Sequence, residues 1–296
     1  MTLLSNTDFF PTIFKILDAN AIKAQRLFFR LLILDVILLI LIPASILATS
    51  FYISSTTFRV IPILLIFIVF SINIVWPTPK LVKNWQAIRS AAESVKKEYM
   101  IYSVACPPYQ IKNDQDSKEK LISNINKILV EVKEKPATSS PKESSNLYFT
   151  ELGGRLRSSE FDLRVKYYLK NRLEDQINWY STKSNRNSLS DSHYKVLMLL
   201  FLVVSAIVAG YTSVFQYSLI GAVDIMVAII LGLQTYGNAR RFSELAITYN
   251  NTLFELESYE ESMQVEDEEK FCEFVLKIEN AISREHSVWS FKMGKN

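Results

Sequence analysis

Four long apolar stretches, almost free of charge, interrupt an otherwise polar chain of 296 residues. They cover about residues 31–50, 59–76, 195–215 and 218–236. Each approaches the ~20 residues that a helix needs to cross the hydrocarbon core of a bilayer. Backbone groups in lipid must find their hydrogen-bond partners within the segment, so each stretch predicts a transmembrane helix.

The four predicted spans form two hairpins, because only short turns separate the first from the second and the third from the fourth. Basic residues gather at the opposite ends of the spans: Lys23, Arg26, Arg30, Lys80, Lys83, Arg89, Lys195, Arg240 and Arg241. By the positive-inside rule, this asymmetry predicts that both termini and the segment between the hairpins lie in the cytoplasm.

Helical periodicity continues outside the spans. Apolar residues recur at helical spacing over 85–104, 117–132, 161–180, 239–263 and 266–289. The pattern therefore predicts an all-α membrane protein, with four transmembrane helices in two hairpins and a large cytoplasmic helical domain.

One low-complexity stretch divides the chain. Residues 135–160 are rich in Pro, Ser and Gly, which is typical of a mobile linker. We therefore expect a first hairpin domain at 1–134 and a second at 161–296, each with cytoplasmic helices.

The composition narrows the function. The chain is 49% hydrophobic and 21% charged, and its mean hydropathy is +0.13, which fits a membrane protein with sizeable soluble parts. Seven glycines argue against Gly-rich phosphate loops, and two histidines with two cysteines leave little for a metal centre. We expect no enzyme activity, no cofactor and no metal. Both Cys106 and Cys272 fall on the predicted cytoplasmic side, so we also expect no disulfide.

Three polar residues within the apolar stretches are candidates for lining a pore. Asp35 and Asp224 are the only acidic residues there, and Asn73 is an uncharged companion. A carboxylate at mid-bilayer costs on the order of 2.5–3.5 kcal/mol on insertion scales, so it usually faces a bundle interior or water. The alternative is a structural carboxylate at interfacial depth, and polar contact between helices is an alternative for Asn73.

Small residues in the fourth span permit close helix approach: Gly221, Ala228 and Gly232 fall near one face. The pattern leaves open whether the two hairpins of one chain or neighbouring subunits pack through it.

A basic stretch with nearby aromatic residues is a candidate ligand site. Its members are Arg155, Arg157, Arg164, Arg172, Trp179, Tyr180 and Lys183. Cationic groups beside stacking rings are suited to an oligonucleotide or a cyclic nucleotide. The alternative is a solvated helix face whose aromatic residues pack inward.

Two groups of residues resemble a known family. Arg172, Gln176, Trp179, Tyr180 and Lys183, followed after a tight membrane hairpin by Glu285, His286 and Trp289, resemble the SLATT domains, which are two-helix membrane domains of bacterial nucleotide-signalling defence systems. The first half resembles a second SLATT type through residues on either side of its hairpin: Gln25, Trp85, Arg89, Ala92, Glu93, Lys96, Tyr102, Pro108 and Tyr109. A tandem of two such domains would cover nearly the whole chain except the linker.

The resemblance implies an oligomeric pore-forming effector in the bacterial inner membrane. A nucleotide or oligonucleotide signal, or the nucleotidyltransferase-type partner that makes it, would gate the pore, either on ligand binding or on ligand loss. We take a tetramer as the working oligomer. The alternative is a membrane-anchored scaffold that recruits a soluble signalling partner and conducts nothing.

Overall fold

The computed structural model describes residues 6–51, 56–76, 78–110, 114–132, 147–215, 220–263 and 267–293, and the regular elements in these ranges are all helices. The predicted all-α class is therefore confirmed. In chain order the helices are α1 (Asn6–Phe9), α2 (Thr12–Phe51), α3 (Thr56–Val75), α4 (Thr78–Ser103), α5 (Asp114–Glu131), α6 (Glu151–Arg157), α7 (Phe161–Tyr168), a π-helical segment (Leu169–Leu173), α8 (Glu174–Phe215), α9 (Ile220–Arg240), α10 (Phe242–Glu261) and α11 (Glu268–Met293).

Four helical stretches are long and apolar enough to cross a membrane, as the sequence predicts. In the most apolar part of each stretch, only 11%, 6%, 0% and 6% of the residues are buried, in chain order. These side chains therefore face outward, where lipid is the natural neighbour. Pro43 lies inside α2 and Pro62 inside α3.

By its contacts the chain divides into two compact units. We call Met1–Ala24, Lys83–Lys183 and Thr248–Asn296 the helical unit, and Gln25–Val82 and Ser184–Ile247 the membrane unit. Both units therefore contain residues from the first and the second half of the chain.

The predicted apolar stripes form the core of the helical unit. The stripe of α4 is buried, and Val95 and Tyr99 have no exposed surface. On α5, Leu121 and Ile125 are likewise fully buried. The stripe of α11 is buried at Phe271, Val275, Ile278 and Ile282. Helical periodicity thus identified the inward faces of these elements correctly.

Part of the predicted linker is a helix. Residues 133–146 lie outside the described residues, but α6 forms within the remainder, and the hydroxyl of Thr150 caps it by accepting from Gly153 N at 3.1 Å. Leu156 and Arg157 are buried, so α6 belongs to the packed core. The capping threonine and the two buried side chains stabilise this helix although it contains two adjacent glycines, whose helix propensity is low.

Candidate functional site

Two of the three polar candidates in the spans meet. Asn73 Nδ2 on α3 donates to Asp35 Oδ1 on α2 at 3.1 Å, and it also donates to the carbonyl of Val69 at 3.0 Å. The bond links the two spans of the first hairpin. Asn73 is exposed and Asp35 is half-buried, so the pair sits at the surface of the chain rather than inside it.

Asp224 lies on another helix, α9, and its side chain is exposed. The structure thus places two carboxylates, those of Asp35 and Asp224, on the outer surface of apolar helices. Such a position is costly in lipid and is relieved by water or by a neighbouring protein surface.

The small residues of the fourth span pack against the first span of the same chain. A Cβ added at Gly221 would lie 2.6 Å from Leu47 Cδ1, and one added at Gly232 would lie 2.6 Å from Val36 Cγ1. These residues lie eleven positions, about three helical turns, apart on α9. The close approach therefore joins the two hairpins within one chain, a choice that the sequence left open.

Aromatic and basic residues meet where the spans end. The guanidinium of Arg240 lies 4.0 Å from the ring centre of Phe29, and its Nε donates to Tyr236 Oη at 2.9 Å. Such cation–π contacts are favourable at a membrane interface, where the ring is in the apolar zone and the charge meets headgroups.

Arg157, a predicted ligand residue, is buried in the helical unit. Its Nη1 donates to the carbonyls of Tyr102 at 2.8 Å and Tyr109 at 2.7 Å, and its Nε pairs with Asp114 at 2.9 Å. The guanidinium also lies 4.4 Å from the ring centre of Tyr102. Hydrogen bonds from Lys118 and Arg157 hold the pKa of the Asp114 carboxyl below its usual value.

Arg164 binds the same end of α4. Its Nη1 donates to the carbonyl of Val104 at 2.9 Å, and its Nη2 pairs with Glu268 at 2.8 Å. The chain leaves α4 through Ala105, whose φ of 62° is left-handed, while Cys106 N donates back to the carbonyl of Ile101 at 3.1 Å. Two arginines thus satisfy carbonyls at the negative end of the helix dipole.

Arg172 forms an ion pair in the interior of the helical unit. Its Nε and Nη2 donate to the two carboxylate oxygens of Glu279, both at 2.8 Å, and the two side chains are 2% and 0% exposed. Tyr168 Oη donates to the same carboxylate at 3.2 Å. Burial, followed by the charge of Glu279, raises the pKa of Tyr168 well above its usual value.

Further charges surround this pair. Lys96 lies on α4, 5.2 Å from the ring centre of Phe10, and burial, followed by the charge of Arg172, lowers its pKa. On the same face of α4, Arg89 pairs with Glu93 at 2.5 Å and with Asp18 of α2 at 2.6 Å. The helical unit therefore contains a charge-balanced group of polar side chains from α2, α4, α11 and the π-helical segment. Segments of the π-helical type are frequent at functional sites.

The remaining predicted ligand residues fall into two places. Trp179, Tyr180 and Lys183 are together on α8: the two rings meet edge-on at 4.9 Å, and Lys183 Nζ lies 5.8 Å from the indole. Tyr180 is buried, whereas Trp179 and Lys183 are half-buried. Arg155 is exposed on α6 and pairs with Glu151.

Glu279 and Lys96 were not predicted as site residues. The sequence does carry a signal for Glu279: it falls among the apolar residues of α11, and a carboxylate on such a face needs a buried partner. Nothing in the sequence alone identifies Arg172 as that partner, because the two residues are 107 positions apart.

The expectation of unpaired cysteines is wrong. Cys106 and Cys272, separated by 166 residues, form a disulfide, and their Cα atoms are 5.1 Å apart. The expectation rested on the compartment alone. It ignored that the helical unit brings the end of α4 against α11.

These features define a four-span, all-α membrane protein with a second compact unit of packed helices. Two family profiles match the chain: SMODS and SLOG-associating 2TM effector domain 3 over residues 11–165, and SMODS and SLOG-associating 2TM effector domain 1 over residues 168–289. The chain belongs to the SLATT family and carries two of its domains in tandem. It is thus a membrane effector of the two-transmembrane kind, and the matches are to effector domains rather than to a catalytic domain. No curated protein and no solved structure gives a match.

Proposed function

We propose that this protein is the subunit of an oligomeric ion channel or pore in the bacterial inner membrane, acting as the effector of an antiphage defence system. Both termini and the helical unit lie in the cytoplasm, in keeping with the basic residues at those ends of the spans. A nucleotide or oligonucleotide signal, or the nucleotidyltransferase-type partner that makes it, gates the pore. The family description, which pairs these effector domains with SMODS and SLOG, supports such a signal.

The observation that carries this proposal is the exposure of charge on the spans. Asp224 and the Asp35–Asn73 pair lie on the surface of an isolated chain, where a bilayer would surround them. Further copies of the chain would cover these groups or place them along water. Rings of carboxylates around an aqueous path attract cations, so we propose a cation-preferring pore, with a tetramer as the working assembly.

The long helices supply a route from signal to pore. Helix α2 runs without interruption from Thr12 to Phe51, and α8 from Glu174 to Phe215, so each includes both a predicted cytoplasmic part and a span. A ligand that prefers one position of the cytoplasmic part shifts the equilibrium of the attached span, in the direction set by the state it prefers.

We propose that the ligand binds those of the predicted ligand residues that are accessible. Arg155 is exposed, and Trp179 with Lys183 presents a half-buried ring beside a cation. Arg157, Arg164 and Arg172 already bind protein acceptors in the interior. We propose that these three transmit a change of packing rather than touch the signal.

The test is ion flux through liposomes that contain the purified full-length protein, with and without candidate nucleotides. We expect Asp224→Asn to lower the ratio of cation to anion permeability, and Glu260→Gln, which removes an exposed charge outside the spans, to leave it unchanged. Mass spectrometry of the nucleotide that co-purifies with the detergent-solubilised protein identifies the signal. Inserted, oligomeric protein that conducts in no ligand state would refute the pore and favour the membrane-anchored scaffold.

A further inference from the structure

The disulfide lies in the part of the chain that the proposed function assigns to the cytoplasm, and the latch argued below rests on that assignment. Cys106 is fully buried, and Cys272 keeps 5% of its surface exposed. Cytosolic disulfides in mesophiles are transient and are usually catalytic or redox-sensing, because cellular reductants keep thiols reduced. We propose that Cys106 and Cys272 form a redox latch, which opens and closes by thiol–disulfide exchange and controls how readily the helical unit rearranges. The effect of the latch on conduction rests on the proposed pore function.

One end of the latch, Cys106, lies in the turn that ends α4. Cys106 directly follows the left-handed Ala105, and its own N–H takes part in the cap by donating to the carbonyl of Ile101 at 3.1 Å. The bond therefore joins α11 to the turn that ends α4. Within the family matches, Cys106 belongs to residues 11–165 and Cys272 to residues 168–289, so the latch links the two tandem domains covalently.

Cys272 lies between two glutamates through which α11 binds other helices of the helical unit. Glu268, one turn earlier, pairs with Arg164 at 2.8 Å, and Glu279, two turns later, binds Arg172. Phe271, beside the cysteine, is fully buried against Tyr168, with ring centres 5.9 Å apart. When the latch is open, α11 is held at these points only by non-covalent contacts. Glu268 is half exposed to solvent, so its ion pair is the weakest of them.

The exchange reaction needs only thiols of the kind found in cells. A thiolate of a small thiol or of a dithiol protein attacks Sγ of Cys272, the more exposed of the two cysteine residues, and Cys106 leaves as a thiolate. A second thiolate attacks the reductant's sulfur in this mixed disulfide and releases Cys272 as a thiolate. The two thiolates of the protein take up two protons, and the two reductant sulfurs end as one disulfide. A low-molecular-weight disulfide closes the latch by the same steps in reverse.

The closed latch should hold back movement between the end of α4 and α11. A signal that acts through the charge-balanced group of polar side chains must shift these helices, so the disulfide form responds less to it than the dithiol form. The fold as described contains the closed latch.

The first test reads the thiols directly. Cells that make the full-length protein are quenched in acid and alkylated. Disulfides are then reduced and labelled with a second alkylating agent, and the intact protein is weighed. We expect mostly the dithiol in resting cells and mostly the disulfide after treatment with the thiol oxidant diamide. A fraction of disulfide that stays the same under both conditions, whether near zero or near complete, overturns the latch.

The second test reads its structural effect. Hydrogen exchange of the purified protein is compared before and after reduction with a dithiol, over the segment that includes Ala105 and over the first turns of α11. We expect several-fold faster exchange in both segments after reduction. The Cys106→Ala/Cys272→Ala variant should match the reduced wild type and ignore the dithiol. Equal exchange in the oxidised and reduced wild type would contradict the inference without relying on any variant.

The third test separates the latch from the pore. Flux in liposomes is measured for the oxidised and the reduced wild type at one signal concentration, and we expect several-fold higher flux after reduction. Equal, measurable flux in both forms would overturn regulation by the latch. Absence of flux in every form would refute the pore instead, while the thiol and exchange measurements would still decide the latch.

Discussion

The buried pair of Arg172 and Glu279 offers the sharpest test of how the helical unit is held together. Glu279→Gln keeps the shape of the side chain but removes its charge, which leaves the guanidinium inside the unit without its counter-ion. Arg172→Met removes the cation and keeps the bulk of the chain. The double variant Arg172→Met/Glu279→Leu replaces the pair with apolar groups of similar volume.

The structure sets the expected magnitudes. Both side chains are almost wholly buried, and both hydrogen bonds of the pair measure 2.8 Å. Breaking such a pair by removing one partner costs about 3–5 kcal/mol, because an uncompensated charge stays buried. Replacing both partners is often neutral or even stabilising. In a unit of about 150–250 residues, 1 kcal/mol shifts the melting temperature by roughly 2–4 °C, so we expect Glu279→Gln to lower it by roughly 6–20 °C.

The assay is thermal unfolding of the full-length protein in detergent, at one redox state, followed by intrinsic fluorescence. The exposed pair Arg155–Glu151, whose side chains are 70% and 78% exposed, supplies the matched control. Glu151→Gln should cost no more than about 1 kcal/mol, since surface pairs contribute little. The reasoning fails if Glu279→Gln and Glu151→Gln have the same effect. It also fails if the double variant is no more stable than either single variant.

Three further changes test other parts of the structure. Gly153→Ala should destabilise the helical unit, because the new Cβ overlaps a buried tyrosine ring. At Gly154 the new Cβ meets nothing within 4 Å, so Gly154→Ala should be neutral or stabilising by about 0.5–1 kcal/mol. The same melting assay measures both variants. Gly232→Ala should push the first and fourth spans apart and so change both the flux and the melting temperature. Gly210→Ala should change neither, because a Cβ at that position meets nothing within 4 Å. Lys96→Met should raise the melting temperature at pH 7. The pKa of Lys96 is lowered, which means that its charged form destabilises the fold. The gain in melting temperature should therefore shrink as the pH rises towards the ordinary lysine pKa. A gain that does not depend on pH would contradict this reasoning.

The membrane spans and the helix faces could be predicted from the sequence, because each depends on local patterns. Four apolar stretches of the right length can only be helices in lipid. Likewise the spacing of Leu121 and Ile125 shows which side of α5 faces inward. These properties need no knowledge of what lies on the other side of the contact.

The role of the basic residues was harder to predict, because it depends on partners distant in sequence. Arg157 and Arg172 read as a cationic surface, yet the first binds carbonyls at the end of α4 and the second binds a carboxylate on α11. An arginine's charge is visible in the sequence, but its desolvation is not. The same holds for the cysteines, since their pairing is set by packing across 166 residues.

The shared helical unit bears on how a tandem protein can switch. Residues of the first matched range, Lys97 and Arg164, bind Asn280 and Glu268 of the second, at 2.9 Å and 2.8 Å. Cys106 adds a covalent link between the same two ranges. Packed interiors are bistable rather than continuously deformable, so a displacement of α11 must be accommodated at the end of α4 as well. We therefore expect the two hairpins to change state together, with the signal acting on one unit rather than on two independent domains.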